Sequence, residues 1–175
     1  TRRIDADSYL ELMGRKVTDV MRRPARFTQS VAESSFDAWT RFYKQDENAI
    51  NAIVSYYTKG AMVALALDLT LRRGTDGATS LDDIMRTLWA RHGETGVGVE
   101  EDGIQKVAAE VSGLDLDAFF AEALHGRGDA IWEELVALLG HVGVLAELRV
   151  REGAKDRGGK PGTLSEQAAA RRGDV

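Results

Sequence analysis

From Ile53 to Arg73 the chain reads as one helix that is apolar on nearly every side, and this stretch limits what the fold can be. Met62, Leu65, Leu67, Leu69 and Leu71 wrap most of its circumference, while Ala61, Ala64 and Ala66 leave room for close neighbours. Such a helix has no broad face to give to water, so other helices must surround it. Lys59, Asp68, Arg72 and Arg73 interrupt the run short of the roughly 18 apolar residues of a membrane span. The expectation is a buried central helix and no membrane partner.

The flanking segments supply the neighbours. In "IDADSYLELMGRKVTDVMRRP" the apolar residues Tyr9, Leu10, Met13, Val17, Val20 and Met21 recur at helical spacing, with Asp5 or Asp7 as cap and Pro24 as stop. After the loop "ARFTQSVAES", the short segment "SFDAWTRFYK" sets Phe36, Trp39 and Phe42 or Tyr43 on one face, with Ser34 or Ser35 as cap. The polar break "QDENAIN" leads into the central helix, and "GTDGATS" is a turn-rich linker after it. Ser80 with Asp83 opens a helix that Gly93 ends. "GIQKVAAEVSG", "LDLDAFFAEALHG" (capped by Asp115, ended by Gly126) and "DAIWEELVALLG" read as three more. "GVLAELRVRE" alternates enough to predict a short strand, and from Gly153 onward the composition turns to that of a polar linker or tail. The prediction is an all-α bundle of about six or seven helices over residues 1–152, a short C-terminal strand, and a flexible segment over 153–175.

Composition excludes several chemistries. Zero cysteines remove disulfides, thiol catalysis and cysteine–zinc sites, without fixing the compartment. A net charge of −5 argues against nucleic acid as a partner. His92, His125 and His141 stand apart from one another, and HExxH is absent. His92 and His125 each precede a helix-ending glycine, where a ring can serve the last carbonyls, and His141 suits a surface position. "GETGVGVEEDG" lacks the strand and lysine of a phosphate loop and carries Glu100, Glu101 and Asp102, so it reads as a connection. No GxSxG elbow and no EF-hand spacing occurs.

One polar cluster is left, "SYYTKG", at the mouth of the central helix. Its residues leave two roles open. Tyr56 and Tyr57 can be amphipathic wall residues, with Lys59 snorkelling to solvent. A tyrosine hydroxyl on a rigid helix can instead donate a hydrogen bond to charge developing in a tetrahedral intermediate. A phenol suits that task because it stays protonated at neutral pH.

"AESSFDAW", "SYYTKGA" and "LDLTLR" resemble the glycyl aminopeptidase family of zinc metallopeptidases, and the likeness extends over Ile4 to Val150. The resemblance implies the helical C-terminal part of a thermolysin-like peptidase domain. HExxH and a third zinc-ligating glutamate would lie upstream and a PDZ domain downstream. It implies zinc and a peptide substrate for the intact protein, with no metal ligand and no activity of its own in this chain. Tyr57-Thr58-Lys59-Gly60 is similar to the Y-x-K-G element of the wider clan. That likeness implies Tyr57, with Tyr56 as alternate, as the catalytic donor. The reading from another class is a non-catalytic helical interaction or scaffolding module. A helical part separated from its catalytic partner is also expected to dimerise, through the face of Tyr9, Met13 and Val17, the neighbourhood of Tyr56 and Tyr57, or the segment of Phe36, Trp39 and Phe42.

Overall fold

In the computed structural model the structure describes residues 4–149, of which 4–144 belong to one compact unit and 145–149 to a second. The expected boundary at 152–153 and the polar segment beyond it lie outside the described residues.

Local signals build the first unit. Helix α1 (Ala6–Met21) starts where the Asp5 carboxylate accepts a 2.7 Å hydrogen bond from the Ser8 amide, and it ends short of Pro24. Its Met13, Val17 and Val20 are buried. After a 3₁₀ turn over Pro24–Phe27 comes α2 (Val31–Phe36), capped reciprocally by Ser30 and Glu33, with Ser30 N donating to Glu33 at 2.8 Å and Glu33 N to Ser30 Oγ at 3.1 Å. The cap therefore falls at Ser30, and not at Ser34 or Ser35. Ser34 is inside the helix, and its hydroxyl is spent on a distant carbonyl. A π-helical turn over Ala38–Phe42 closes this segment.

The helix expected from Ile53 is α4 (Tyr56–Gly74), which starts three residues later, and an extended break at Ile53–Ser55 separates it from a short α3 (Ala49–Ala52) where a polar break was expected. Helix α4 is the central one, as predicted: α1, α2, α5 and α8 pack on it. The stretch Ala49–Gly74 is, by length and composition, apolar enough to cross a membrane, contrary to the expectation from its charges. In the fold it is divided at Ile53–Ser55, and Met62, Ala66 and Leu71 on α4 are fully buried against protein.

Asp76 (φ 51°) and Gly77 (φ 82°) turn the chain after α4. Helix α5 (Leu81–Leu88) begins where Asp83 accepts from the Ser80 amide at 2.9 Å and from its hydroxyl at 2.7 Å, and it runs on into a π-helical turn, Trp89–Gly93. Then follow α6 (Gly103–Ser112), α7 (Asp117–Phe120) with a third π-helical turn (Ala121–His125), and α8 (Ala130–His141). The apolar core gathers Leu67 and Leu71 of α4 with Ile84, Leu88, Val107, Ala108, Leu116 and Phe120. It lies at the C-terminal half of α4, and in the N-terminal half Met62 and Val63 are buried as well. All eight α-helices and no strand are found among the described residues. The strand predicted over 143–152 does not form in its described part, 143–149, where no second strand is found among the described residues for it to pair with, and 150–152 lie outside them.

Candidate functional site

The start of α4 is fixed by side chains from α2 and the turn before it. The Val54 amide donates to Gln29 Oε1 at 2.9 Å, and the Ser34 hydroxyl donates to the Val54 carbonyl. Gln29 and Ser34 are 3% and 1% exposed, so these bonds are shielded from water. With both its backbone groups engaged sideways, Val54 cannot join a helical ladder, and that delays the start of the expected helix to Tyr56. Ser55 then caps α4 by accepting from the Thr58 amide at 3.2 Å. Tyr56 and Tyr57 thus occupy the first turn of a helix whose entry is held at two points.

Their hydroxyls meet a third. Tyr43, just past the first π-helical turn, places its hydroxyl 3.0 Å from that of Tyr56 and 3.0 Å from that of Tyr57. The Tyr56 and Tyr57 rings lie 4.2 Å apart at 32°, Phe42 meets Tyr56 edge-on at 5.2 Å, and Trp39 lies 5.3 Å from Tyr43. Tyr57 as a whole residue remains 59% exposed. The hydrogen bond with Tyr43, then the nearby Tyr56 hydroxyl, holds the Tyr57 phenol below its ordinary pKa. The hydrogen bond with Tyr43, then the nearby Tyr57 hydroxyl, pushes Tyr56 well above it. Two like groups are thereby made unlike: the Tyr57 phenol is a readier proton donor, and Tyr56 keeps its proton.

Of the residues singled out from sequence, Tyr57 and its alternate Tyr56 are brought together. Tyr43 was not singled out as a polar group. Its place on an aromatic face hid a hydroxyl that folds back onto residues 13 and 14 positions further along. Lys59 departs from the expectation that it snorkels to solvent. It is 2% exposed, and its Nζ donates to the Gly126 carbonyl at 3.4 Å, at the end of the third π-helical turn. Burial pushes the ammonium's pKa down, against the pull of Glu122 and Asp129.

The remaining polar features find structural uses. Lys106 reaches Glu100 at 3.2 Å and Asp102 at 2.9 Å, which accounts for two carboxylates of the glycine-rich connection. His92 and His125 lie in the last turns of helical segments, but His92 Nδ1 approaches Val97 O, within that connection, at 3.2 Å. It is His141 whose Nδ1 serves a helix carbonyl, that of Ala137, at 2.8 Å. Among the described residues no three histidine, aspartate or glutamate side chains converge as a metal ion requires, so the zinc implied by resemblance has no fitting donor set here.

Residues 1–63 match the model of the M61 glycyl aminopeptidase family, a span running from before α1 into the second turn of α4 and so including all three tyrosines of the cluster. A crystal structure of an aminopeptidase N family protein from Idiomarina loihiensis matches with a TM-score of 0.80 at 40% identity, over 94% of this chain and 27% of that one. No curated protein matches the chain. The chain is thus similar to M61 glycyl aminopeptidases over its first 63 residues and, over nearly its whole length, to part of an aminopeptidase N family protein. It spans about a quarter of the length of that solved relative.

Proposed function

We propose that the chain forms a helical wall of the active-site cleft of a zinc-dependent aminopeptidase, and that Tyr57, with Tyr56 as alternate, donates a hydrogen bond to the tetrahedral intermediate. On this reading a peptide is the substrate, and the metal, its ligands and the carboxylate base belong to the rest of the protein. What this chain contributes is the donor. The observation that carries the reading is Tyr57, an exposed residue at the fixed N-terminus of α4 whose hydroxyl is made more acidic by Tyr43. A donor on a helix held at its entry needs little reorganisation as charge develops, which is what makes such a group effective. Tyr57 must keep its proton to donate, so activity is expected to fall as pH rises through its lowered pKa.

The test is Tyr57→Phe in the intact protein. Losing an oxyanion donor costs about 10²–10³ in kcat, and KM and folding are expected to change little. Near wild-type kcat in that variant, with Tyr56→Phe equally silent, would return both tyrosines to the role of wall residues. A second reading, a non-catalytic interaction module, is favoured by Phe36 and Trp39, which stand 91% and 80% exposed. An intact protein that hydrolyses no aminoacyl substrate, yet holds a partner through Phe36 and Trp39, would establish it.

A further inference from the structure

We propose that Tyr43 is a positioning residue for Tyr57: its hydroxyl donates to the Tyr57 oxygen and so sets both the direction and the strength with which Tyr57 donates to substrate. This rests on the role proposed for Tyr57. The argument begins with proton counting. Each hydroxyl has one proton to give, and only the Tyr43 oxygen lies 3.0 Å from both of the others. If Tyr57 gives its proton to an oxyanion, its oxygen is left to accept, and Tyr43 is the group in reach. Tyr43, having given its own proton to Tyr57, accepts in turn from Tyr56. The network then runs one way, Tyr56 to Tyr43 to Tyr57 to substrate, and each bond polarises the next.

The opposed acidities of Tyr56 and Tyr57 agree with that direction, since the head of such a chain holds its proton and the end releases it. Among the described residues, only tyrosines and burial act on these two phenols, and no acidic or basic side chain does. Asp37 and Arg41, the charges of the neighbouring turn, pair with each other at 3.4 Å. Lys59, on the same helix, answers to Glu122, Asp129 and Arg26. The Tyr43 ring is held for this task by Trp39 at 5.3 Å and by Phe42, edge-on at 5.3 Å.

Two measurements test it. In this chain, the tyrosinate absorbance of the four tyrosines is followed against pH. The earliest step should vanish in Tyr57→Phe and move to higher pH in Tyr43→Phe. A step that stays in place in Tyr43→Phe overturns the proposal, whatever the chain's activity. Should that variant melt early, O-methyltyrosine at position 43, which keeps the ring and oxygen but has no proton to give, should move the step to higher pH equally, and no movement overturns the proposal. In the intact protein, Tyr43→Phe is expected to lower kcat by about three- to tenfold, the worth of one hydrogen bond, with KM held and the alkaline limb of the rate profile moved upward. A shifted titration with unchanged kcat in Tyr57→Phe would leave the tyrosine network standing and remove the catalytic role.

Discussion

Lys59 carries a charge into a part of the molecule where only one weak carbonyl contact, Gly126 O at 3.4 Å, receives it. Its proton is held less tightly in the fold than in the unfolded chain, because burial opposes the charge. Below the folded pKa the buried ammonium costs stability in full. As pH rises from there toward the ordinary lysine value, the fold sheds the proton first and stability increases. Lys59→Met keeps the stem's packing and removes the charge. It is expected to be neutral or stabilising by about 1 kcal/mol near neutral pH, and to abolish the alkaline rise in denaturation midpoint. Lys59→Ala removes the stem too and is expected to cost about 2 kcal/mol. The sequence could not supply this: a lysine in the second turn of a helix reads as a solvated end until the neighbour that covers it, 67 residues away, is known.

Helix entries differ in how they are held, and that difference predicts how they fail. The α2 cap depends on the Glu33 carboxylate, which Arg127 and the Ser30 amide hold down to about 2. Its contribution is present above the ordinary carboxylate range and is lost as pH falls toward about 2. Added salt should weaken the exposed Arg127 pair, and Arg127→Ala should bring the loss to higher pH, as followed by circular dichroism. The α4 entry depends on Gln29 and Ser34. Ser34→Ala leaves the Val54 carbonyl buried without its partner and is expected to cost about 1–3 kcal/mol. Faster amide exchange at Val54 and Thr58 than at Leu71 would locate the damage. What was legible in the sequence follows from range. Asp5, Pro24, Ser80 with Asp83, and Gly126 act within a few residues of themselves and were readable. Ser30 with Glu33 had the same signature but was hidden among neighbouring serines. The Val54 contacts span 20 and 25 residues, and no local pattern announces them.

Across the molecule, apolar burial holds α4 along its length, through Met62 and Val63 as well as Leu67 and Leu71, and hydrogen bonds from Gln29 and Ser34 add a second hold at its entry. Leu71→Ala is expected to lower global stability by about 2–5 kcal/mol in a denaturant titration, with all helices lost together. The surfaces available for self-association are fewer than the sequence suggested: Met13 and Val17 are buried, while Phe36 and Trp39 are open. The chain is expected to dimerise through the latter at micromolar concentration, and Phe36→Ser with Trp39→Ser to give a monomer by light scattering. A wild-type monomer that binds no hydrophobic dye would refute this. Alone, the chain is expected to retain no zinc on dialysis and to cleave no aminoacyl substrate. Stoichiometric metal with chelator-sensitive hydrolysis would contradict that.

The first π-helical turn bears on how this chain can be lined up with its relatives. The Tyr43 amide closes on the Ala38 carbonyl at 3.0 Å, one residue further along than an α-helical turn would allow. Deleting a residue between them, such as the exposed Thr40, leaves an ordinary turn closing on the same carbonyl, and Tyr43 leaves that turn in nearly the same direction. A relative one residue shorter there can present the same hydroxyl to the same pair. Its tyrosine would then sit opposite a gap or a neighbour in any column-by-column comparison, and the equivalence would be visible only in space.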